Sequence, residues 1–194
     1  TTFSVTGFDP YAPRRELAAE HGIVAEATPG AASKNADIAL LAVRDHGQAE
    51  AALFDDDGVL DSMRRGSPVI LTSTVGPGAA RALASRLDDA GYPLVDVPIS
   101  GGPARAGKGD LLIVVGATED ALATAWPVLD HLASTLTVVG PRPGDGQALK
   151  TINQLLARAV QVRLHIARNI LLLGLALGAV FESFFLEHIN VAGN

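Results

Sequence analysis

Short apolar runs alternate with helical stretches through residues 1–140 of this 194-residue chain. The run at 38–43 contains no polar residue, and the runs at 68–72 and 111–116 are largely apolar. Strands of this kind are buried on both faces, which requires helices on both sides of the sheet. The pattern predicts a doubly wound α/β domain with a parallel sheet, in which ligands bind at the carboxyl ends of the strands.

The spacing of apolar residues also predicts where the other strands and helices lie, and Pro, Gly and capping residues mark their ends. Residues 147–177 contain no proline and a single glycine, which predicts a long interdomain helix. We therefore expect an α/β domain at 1–142 and the start of an all-α domain at 143–194. Strands are predicted at 3–8, 23–26, 38–43, 68–72, 93–98, 111–116 and 136–139. Helices are predicted at 12–20, 29–34, 47–53, 59–63, 77–90 and 121–133.

Charge and composition exclude several classes of function. The net charge is −6 and the Lys and Arg residues are scattered, whereas nucleic acid binding needs clustered positive charge. The chain has no cysteine, and its five histidines lack metal-binding spacing, so we expect no disulfide and no metal site. A chain without cysteine also fits the reducing cytoplasm, which is the expected location.

The C-terminal residues are apolar but do not predict a membrane span. The uncharged run at 170–181 is too short to cross a bilayer alone, and we interpret it as a buried helix, with a membrane segment as the lesser alternative. The final stretch at 179–194 carries three phenylalanines with no obvious domain to cover them, Phe181, Phe184 and Phe185. Because an uncovered apolar helix is usually an interface, we expect no membrane partner and a homodimer formed through the C-terminal helices.

Ser100, Gly101 and Gly102, hereafter the glycine turn, follow the predicted strand at 93–98. Two successive glycines allow positive φ and a close approach of the backbone to a ligand. A serine hydroxyl beside successive N–H groups can bind an anion such as a carboxylate. The simpler alternative is an ordinary glycine-rich turn with no ligand.

Lys150 lies near the start of the long helix, behind Gly144 and Gly146. Asn153 is one turn further along the helix and Gln154 is at i+4, so both share its side. Most helical lysines are simply solvated, but a lysine with amide neighbours and a nearby anion-binding turn can exchange a proton with an alcohol or carbonyl oxygen.

Asp9 and the Thr72-Ser73-Thr74 segment each end a predicted strand. In a dinucleotide-binding fold, an acidic residue at the end of the second strand accepts hydrogen bonds from the adenosine ribose. Asp9 could equally be a turn residue before a proline. The hydroxyls of 72–74 could cap the next helix, line a nicotinamide site, or do both.

Three segments together resemble the β-hydroxyacid dehydrogenase family, which includes the 3-hydroxyisobutyrate dehydrogenases, and they are most similar to its L-threonate dehydrogenase-like branch. They are Ile-Leu-Thr-Ser-Thr-Val-Gly-Pro at 70–77, Asp-Val-Pro-Ile-Ser-Gly-Gly-Pro-Ala-Arg-Ala-Gly-Lys-Gly at 96–109, and Gly-Asp-Gly-Gln-Ala-Leu-Lys-Thr-Ile-Asn-Gln at 144–154. All three occur in the family's order and spacing. The similarity, which extends more distantly to 6-phosphogluconate dehydrogenase, runs from residue 3 to about residue 156.

The resemblance implies a Rossmann-like domain and NAD(P)-dependent oxidation of a β-hydroxy acid. By this similarity Lys150 is the general acid/base, Asn153 and Gln154 orient the substrate hydroxyl, and the glycine turn holds the carboxylate. Thr74, Ala42 and Val43 would line the cofactor, and Asp9 would favour NAD over NADP.

The resemblance is incomplete at both ends. The family's first strand and Gly-x-Gly-x-x-Gly loop would lie before Thr1, and most of its helical domain is missing. Asp110 replaces the family's usual Thr. Two alternatives therefore stay open: a non-catalytic Rossmann-fold scaffold that mediates oligomerisation, and an enzyme similar to imine reductases, which generally lack the lysine.

Overall fold

The computed structural model describes residues 3–161 and 163, except for the side chain of Pro103. The chain divides into two compact units, Thr1–Thr151 and Ile152–Asn194. The first unit contains all the strands of the described residues. In the second unit, residues 152–161 and 163 are helical. The predictions made for 170–181 and for Phe181, Phe184 and Phe185 lie outside the described residues.

The strands and helices alternate as the sequence predicts. The strands are β1 Thr6–Gly7, β2 Val24–Ala25, β3 Ala39–Leu41, β4 Val69–Leu71, β5 Leu94–Asp96, β6 Ile99–Ser100, β7 Leu111–Gly116 and β8 Ala133–Gly140. The helices are α1 Ala12–Glu20, α2 Pro29–Ser33, α3 His46–Phe54, α4 Val59–Ser62, α5 Pro77–Ala90, α6 Gly102–Ala106 and α7 Glu119–Leu132. A further helix, α8, begins at 145 and occupies the end of the first unit.

The main sheet contains both parallel and antiparallel strand pairs. β3, β4 and β5 are parallel neighbours, whereas β7 runs antiparallel to β5 and to β6. β8 is parallel to β7 and pairs with it on the other side. The segment between β6 and β7 holds only the five-residue helix α6, which is too short for a parallel crossover. β1 and β2 form a separate two-stranded parallel sheet.

The core lies on both faces of the main sheet, as predicted. In β4, Val69 and Leu71 pack into one apolar cluster, and Ile70 packs into the other. Helices α3 and α5 cover the first face, with Leu53 and Leu83 fully buried, and α7 covers the second. The prediction of an α/β fold with helices on both sides of the sheet is therefore confirmed.

Two short elements were not predicted, and several strands differ in length. The sequence gives no separate signal for β6, which ends at Ser100 of the glycine turn, or for α6, which begins at Gly102. β8 begins directly after α7 and is longer than the predicted 136–139. α1 and α5 match their predictions at both ends because a proline lies in the first turn of each helix and a glycine follows each helix closely. Within the described residues, no helix is long and apolar enough to span a bilayer.

Candidate active site

The loops after β3 and β4 are tied together by two buried hydroxyl groups. Thr72 Oγ1 donates to the Leu41 carbonyl at 2.8 Å. The Val43 amide donates to Ser73 Oγ, also at 2.8 Å. These bonds hold the carboxyl ends of β3 and β4 together. We call the two loops that follow these strands, at 42–45 and 72–76, the rim. Ala42 and Thr74 are exposed on these two loops and Val43 is half-buried, so three of the four predicted cofactor-binding residues lie at this rim.

Gln147, on the first turn of α8, joins this rim to the next strand. Its side chain is fully buried, and its Oε1 accepts from the amides of Val75 and Gly76, both at 3.0 Å. Its Nε2 donates to the Ser73 carbonyl at 2.9 Å and to Asp96 Oδ1 at 2.8 Å. Every hydrogen-bonding position of the amide is used, so Gln147 links the end of β4, the end of β5 and the start of α8.

Asp96 ends β5 as a fully buried carboxylate at the start of α8. Its Oδ2 accepts from the amides of Gly144 at 2.9 Å and Gln147 at 3.0 Å. Burial raises the pKa of Asp96, while hydrogen bonds from Gln147, Gly144 and Gly146 oppose that shift. The carboxylate satisfies helix N–H groups that have no partner within the helix.

Glycines allow the start of α8 to approach the sheet closely. A Cβ on Gly116 would lie 2.5 Å from the Arg142 carbonyl oxygen and 2.8 Å from the Gly146 nitrogen. A Cβ on Gly146 would lie 3.0 Å from Asp96 Oδ2. Any larger side chain at these positions would push the helix away from β5 and β7, and with it Lys150.

Lys150 reaches the glycine turn from α8, one turn beyond Gln147. Its Nζ donates to the Ile99 carbonyl at 2.7 Å and contacts Ser100 Oγ. Partial burial lowers the pKa of Lys150, because burial disfavours the charged ammonium. The structure therefore brings together two groups that are 50 residues apart in the chain: an amine that can exchange protons and a hydroxyl that adjoins two glycines.

The glycine turn has the backbone geometry that its sequence predicts. Gly101 and Gly102 have φ values of 140° and 69°, a region that favours glycine. Arg105 packs against Gly101 and pairs with Asp110 through bonds of 2.9 and 3.1 Å. Asp110 also accepts a hydrogen bond from Ser134. The aspartate that replaces the family's usual threonine is thus part of an ion pair beside the turn.

Among the described contacts, none joins Asp9, Asn153 or Gln154 to the residues around Lys150 and Gln147. Asp9 follows β1 and accepts a 2.8 Å hydrogen bond from the Tyr11 amide, which is the turn role that the sequence left open. Its other carboxylate oxygen lies 3.7 Å from Arg14. Asn153 and Gln154 belong to the second unit, where both are exposed helical residues. Their roles stay predictions.

Sequence reasoning missed Asp96 and Gln147 as members of the site. Both lie inside the motifs that carry the resemblance, but their buried contacts depend on loops far apart in the chain. A glutamine between Gly146 and Lys150, in an otherwise apolar helix, was the available signal. Among the described residues, no three His, Asp or Glu side chains lie close enough together to hold a metal ion.

Comparison with known proteins points to one family. Residues 1–140 match the NAD-binding domain of 6-phosphogluconate dehydrogenase. L-threonate dehydrogenase of Cupriavidus necator is 35% identical over 176 residues, which are 91% of this chain and 58% of that enzyme. NAD-dependent L-serine dehydrogenase of Pseudomonas aeruginosa is 33% identical over 142 residues, covering 70% of this chain and 47% of that enzyme.

The fold is also that of solved dehydrogenase structures. The structure of Mycobacterium tuberculosis 3-hydroxyisobutyrate dehydrogenase with L-serine has a TM-score of 0.81 and 28% identity. The match covers 97% of this chain and 62% of that one. The chain thus spans about half the length of the curated relatives that it matches.

Proposed function

Because the chain belongs to the β-hydroxyacid dehydrogenase family, we propose that the protein oxidises a β-hydroxy acid, or reduces the matching semialdehyde, with NAD as the hydride carrier. One observation carries the proposal: Lys150 Nζ is held at the Ile99 carbonyl and the Ser100 hydroxyl. A proton-exchanging group and a carboxylate-binding turn are the two parts that this reaction needs beside the cofactor.

Lys150 acts as the proton acceptor in the oxidation. The lowered pKa of Lys150 increases the fraction of neutral amine, and only the neutral amine can take the proton of the substrate hydroxyl. The O–H bond breaks and its proton moves to Nζ, and the C=O bond forms as the C–H bond on the same carbon breaks and its hydride leaves. In the reverse reaction the ammonium returns this proton to the carbonyl oxygen, so one residue serves both directions.

The glycine turn holds the substrate carboxylate. Gly101 and Gly102 both have positive φ, a backbone conformation in which successive N–H groups can bind an anion. Ser100, the first residue of the turn, contacts Lys150 Nζ, so a carboxylate bound at the turn places the neighbouring hydroxyl near Nζ. Asn153 and Gln154 are proposed to orient that hydroxyl.

The rim formed by the loops after β3 and β4 fits a nicotinamide dinucleotide. Ala42 and Thr74 are exposed there, and a Cβ on Gly76 would meet no atom within 4 Å, so the surface is open. Ala42, Val43 and Thr74 would hold the nicotinamide end, and Asp9 the adenosine ribose. A nicotinamide held there would supply the acceptor for the hydride from the carbon that carries the hydroxyl.

Asp9 supports NAD as the preferred cofactor. A carboxylate there accepts hydrogen bonds from ribose hydroxyls and repels a 2′-phosphate. The Asp9→Ala variant should lower the ratio of kcat/KM for NAD to that for NADP by about tenfold, which corresponds to about 1.4 kcal/mol. Steady-state assays with both cofactors measure this ratio. Glu16→Ala, which removes an exposed carboxylate from α1, is the matched control. An unchanged ratio for Asp9→Ala would contradict the ribose role.

The function is tested by following reduced nicotinamide with the full-length protein. L-threonate, 3-hydroxyisobutyrate and L-serine form the substrate panel, because the similar proteins are named for them. We expect NAD-dependent turnover of at least one. Reduction of cyclic imines without turnover of any hydroxy acid would favour the imine reductase alternative. Failure to bind NAD in calorimetry would favour the scaffold.

The cytoplasmic location and the homodimer formed through the C-terminal helices stay proposals.

A further inference from the structure

Gln147 lies within the candidate site, between the loop at 73–76 on the cofactor side and Lys150 on the substrate side. Its side chain is fully buried, and protein groups occupy all four of its hydrogen-bonding positions. We infer that Gln147 is a positioning residue, which fixes Lys150 relative to the loop at 73–76 on the cofactor side. The role of Lys150 in proton transfer rests on the proposed function, but its positioning by Gln147 is a property of the folded chain.

The side-chain amide of Gln147 makes three hydrogen bonds to the loop at 73–76 on the cofactor side. Oε1 accepts from two consecutive backbone amides, those of Val75 and Gly76, and Nε2 donates to the carbonyl of Ser73. The hydroxyl of Ser73 in turn accepts from the Val43 amide. A shift of the amide would therefore move the loops after β3 and β4 together.

The substrate side is fixed through α8. The backbone amide of Gln147 donates to Asp96 Oδ2 and its side chain donates to Oδ1. These bonds set the rotation of the first helical turn on β5. Lys150 is three residues further and lies on the same helix face, where its Nζ meets Ile99 and Ser100.

The chemistry of the four partners requires an amide at this position. Val75 and Gly76 present two donors, whereas Ser73 and Asp96 present two acceptors. A glutamate could not donate to the second pair, and its charge would face that of Asp96. Methionine has a similar length and volume but makes none of the four bonds, so it removes the positioning while filling the space.

The test measures the chemistry of Lys150 without turnover. The chain has three lysines, Lys34, Lys108 and Lys150, so acetylation by acetic anhydride can be followed for each by peptide mass spectrometry. Gln147→Met should move the pH midpoint of Lys150 acetylation upward, towards an ordinary lysine, because a displaced amine becomes more hydrated. Lys34 and Lys108, both exposed, are internal references that should not change.

Thr72→Val is the matched control for general loss of stability. It removes a buried hydrogen bond from the same rim, that of Thr72 to Leu41, but it does not touch α8. We expect the Lys150 profile of Thr72→Val to equal that of the unsubstituted protein. Equal shifts in both variants, or no shift in a folded Gln147→Met, would overturn the inference.

Hydrogen exchange keeps the inference testable if Gln147→Met does not fold. In the unsubstituted protein, the amides of Val75 and Gly76 bond to Gln147, and those of Gly144 and Gln147 bond to Asp96. If Gln147 holds the loop at 73–76 and the start of α8 as one unit, the four amides should show the same free energy of opening in hydrogen exchange. Independent opening of the two pairs would overturn the inference. Neither measurement requires activity, so this failure is distinct from failure of the proposed reaction.

Discussion

Replacing Lys150 with alanine should lower kcat for β-hydroxy acid oxidation by about 10²- to 10⁴-fold, the range that general acid–base catalysis contributes. Lys150 Nζ is the amine that the structure holds at the Ser100 hydroxyl, and alanine leaves no group there to take the proton. The fold should persist, because the side chain is only partly buried. Steady-state kinetics with the full-length protein measure kcat, and circular dichroism confirms folding.

Two further variants show whether the reaction requires proton transfer by Lys150 or only its positive charge. Lys150→Arg keeps a positive charge, but a guanidinium does not deprotonate in proteins, so its kcat should fall nearly as far as that of the alanine variant. Lys108→Ala removes an exposed lysine shortly after the glycine turn and should leave kcat unchanged. Substantial turnover by Lys150→Arg would mean that charge alone is needed, and normal turnover by Lys150→Ala would rule out the assigned role.

The sequence predicts the features that depend on local pattern. Continuous apolar runs place β4 and its neighbours between two helical layers because neither strand face can meet water. Proline at the first turn of α5 and Gly91 after its last, with φ of 84°, fix that helix at both ends. The link between Lys150 and Ser100 follows from the family motifs, although neither segment alone indicates the other.

The features that the sequence does not predict depend on distant contacts. The direction of β7 is decided by the short connection after β6, which apolarity cannot show. Gln147 resembles any helical glutamine until the loops after β4 and β5 surround it. Asp96 resembles a strand-ending turn residue, yet it is fully buried. Such buried polar bridges break the rule that apolar residues fill the core, which is why pattern reasoning misses them.

Replacing Asp96 with alanine should lower the free energy of unfolding by about 3 kcal/mol or more. Three donors, the amides of Gly144 and Gln147 and the Nε2 of Gln147, would lose their buried acceptor, and each unsatisfied donor costs about 1–3 kcal/mol. Relief of the buried charge offsets part of this loss. Urea unfolding measures the difference. Asp89→Ala, on the exposed face of α5, should stay within about 0.5 kcal/mol of the unsubstituted protein.

The pH dependence of stability distinguishes the buried charge of Asp96 from its hydrogen bonds. Burial is the largest influence and raises the pKa of Asp96 above its ordinary value of 3.8. A raised pKa in the folded state means that the contribution of Asp96 to stability is fully present below the unfolded-state pKa. It is lost as the pH rises through the folded-state pKa. Asp96→Asn cannot titrate, so the stability of the unsubstituted protein relative to this variant should decline as the pH rises from 3.8. Urea titrations at a series of pH values measure that difference. A relative stability that instead increases with pH would mean that the hydrogen bonds from Gln147 and Gly144 outweigh desolvation, and that α8 is capped best by the charged carboxylate.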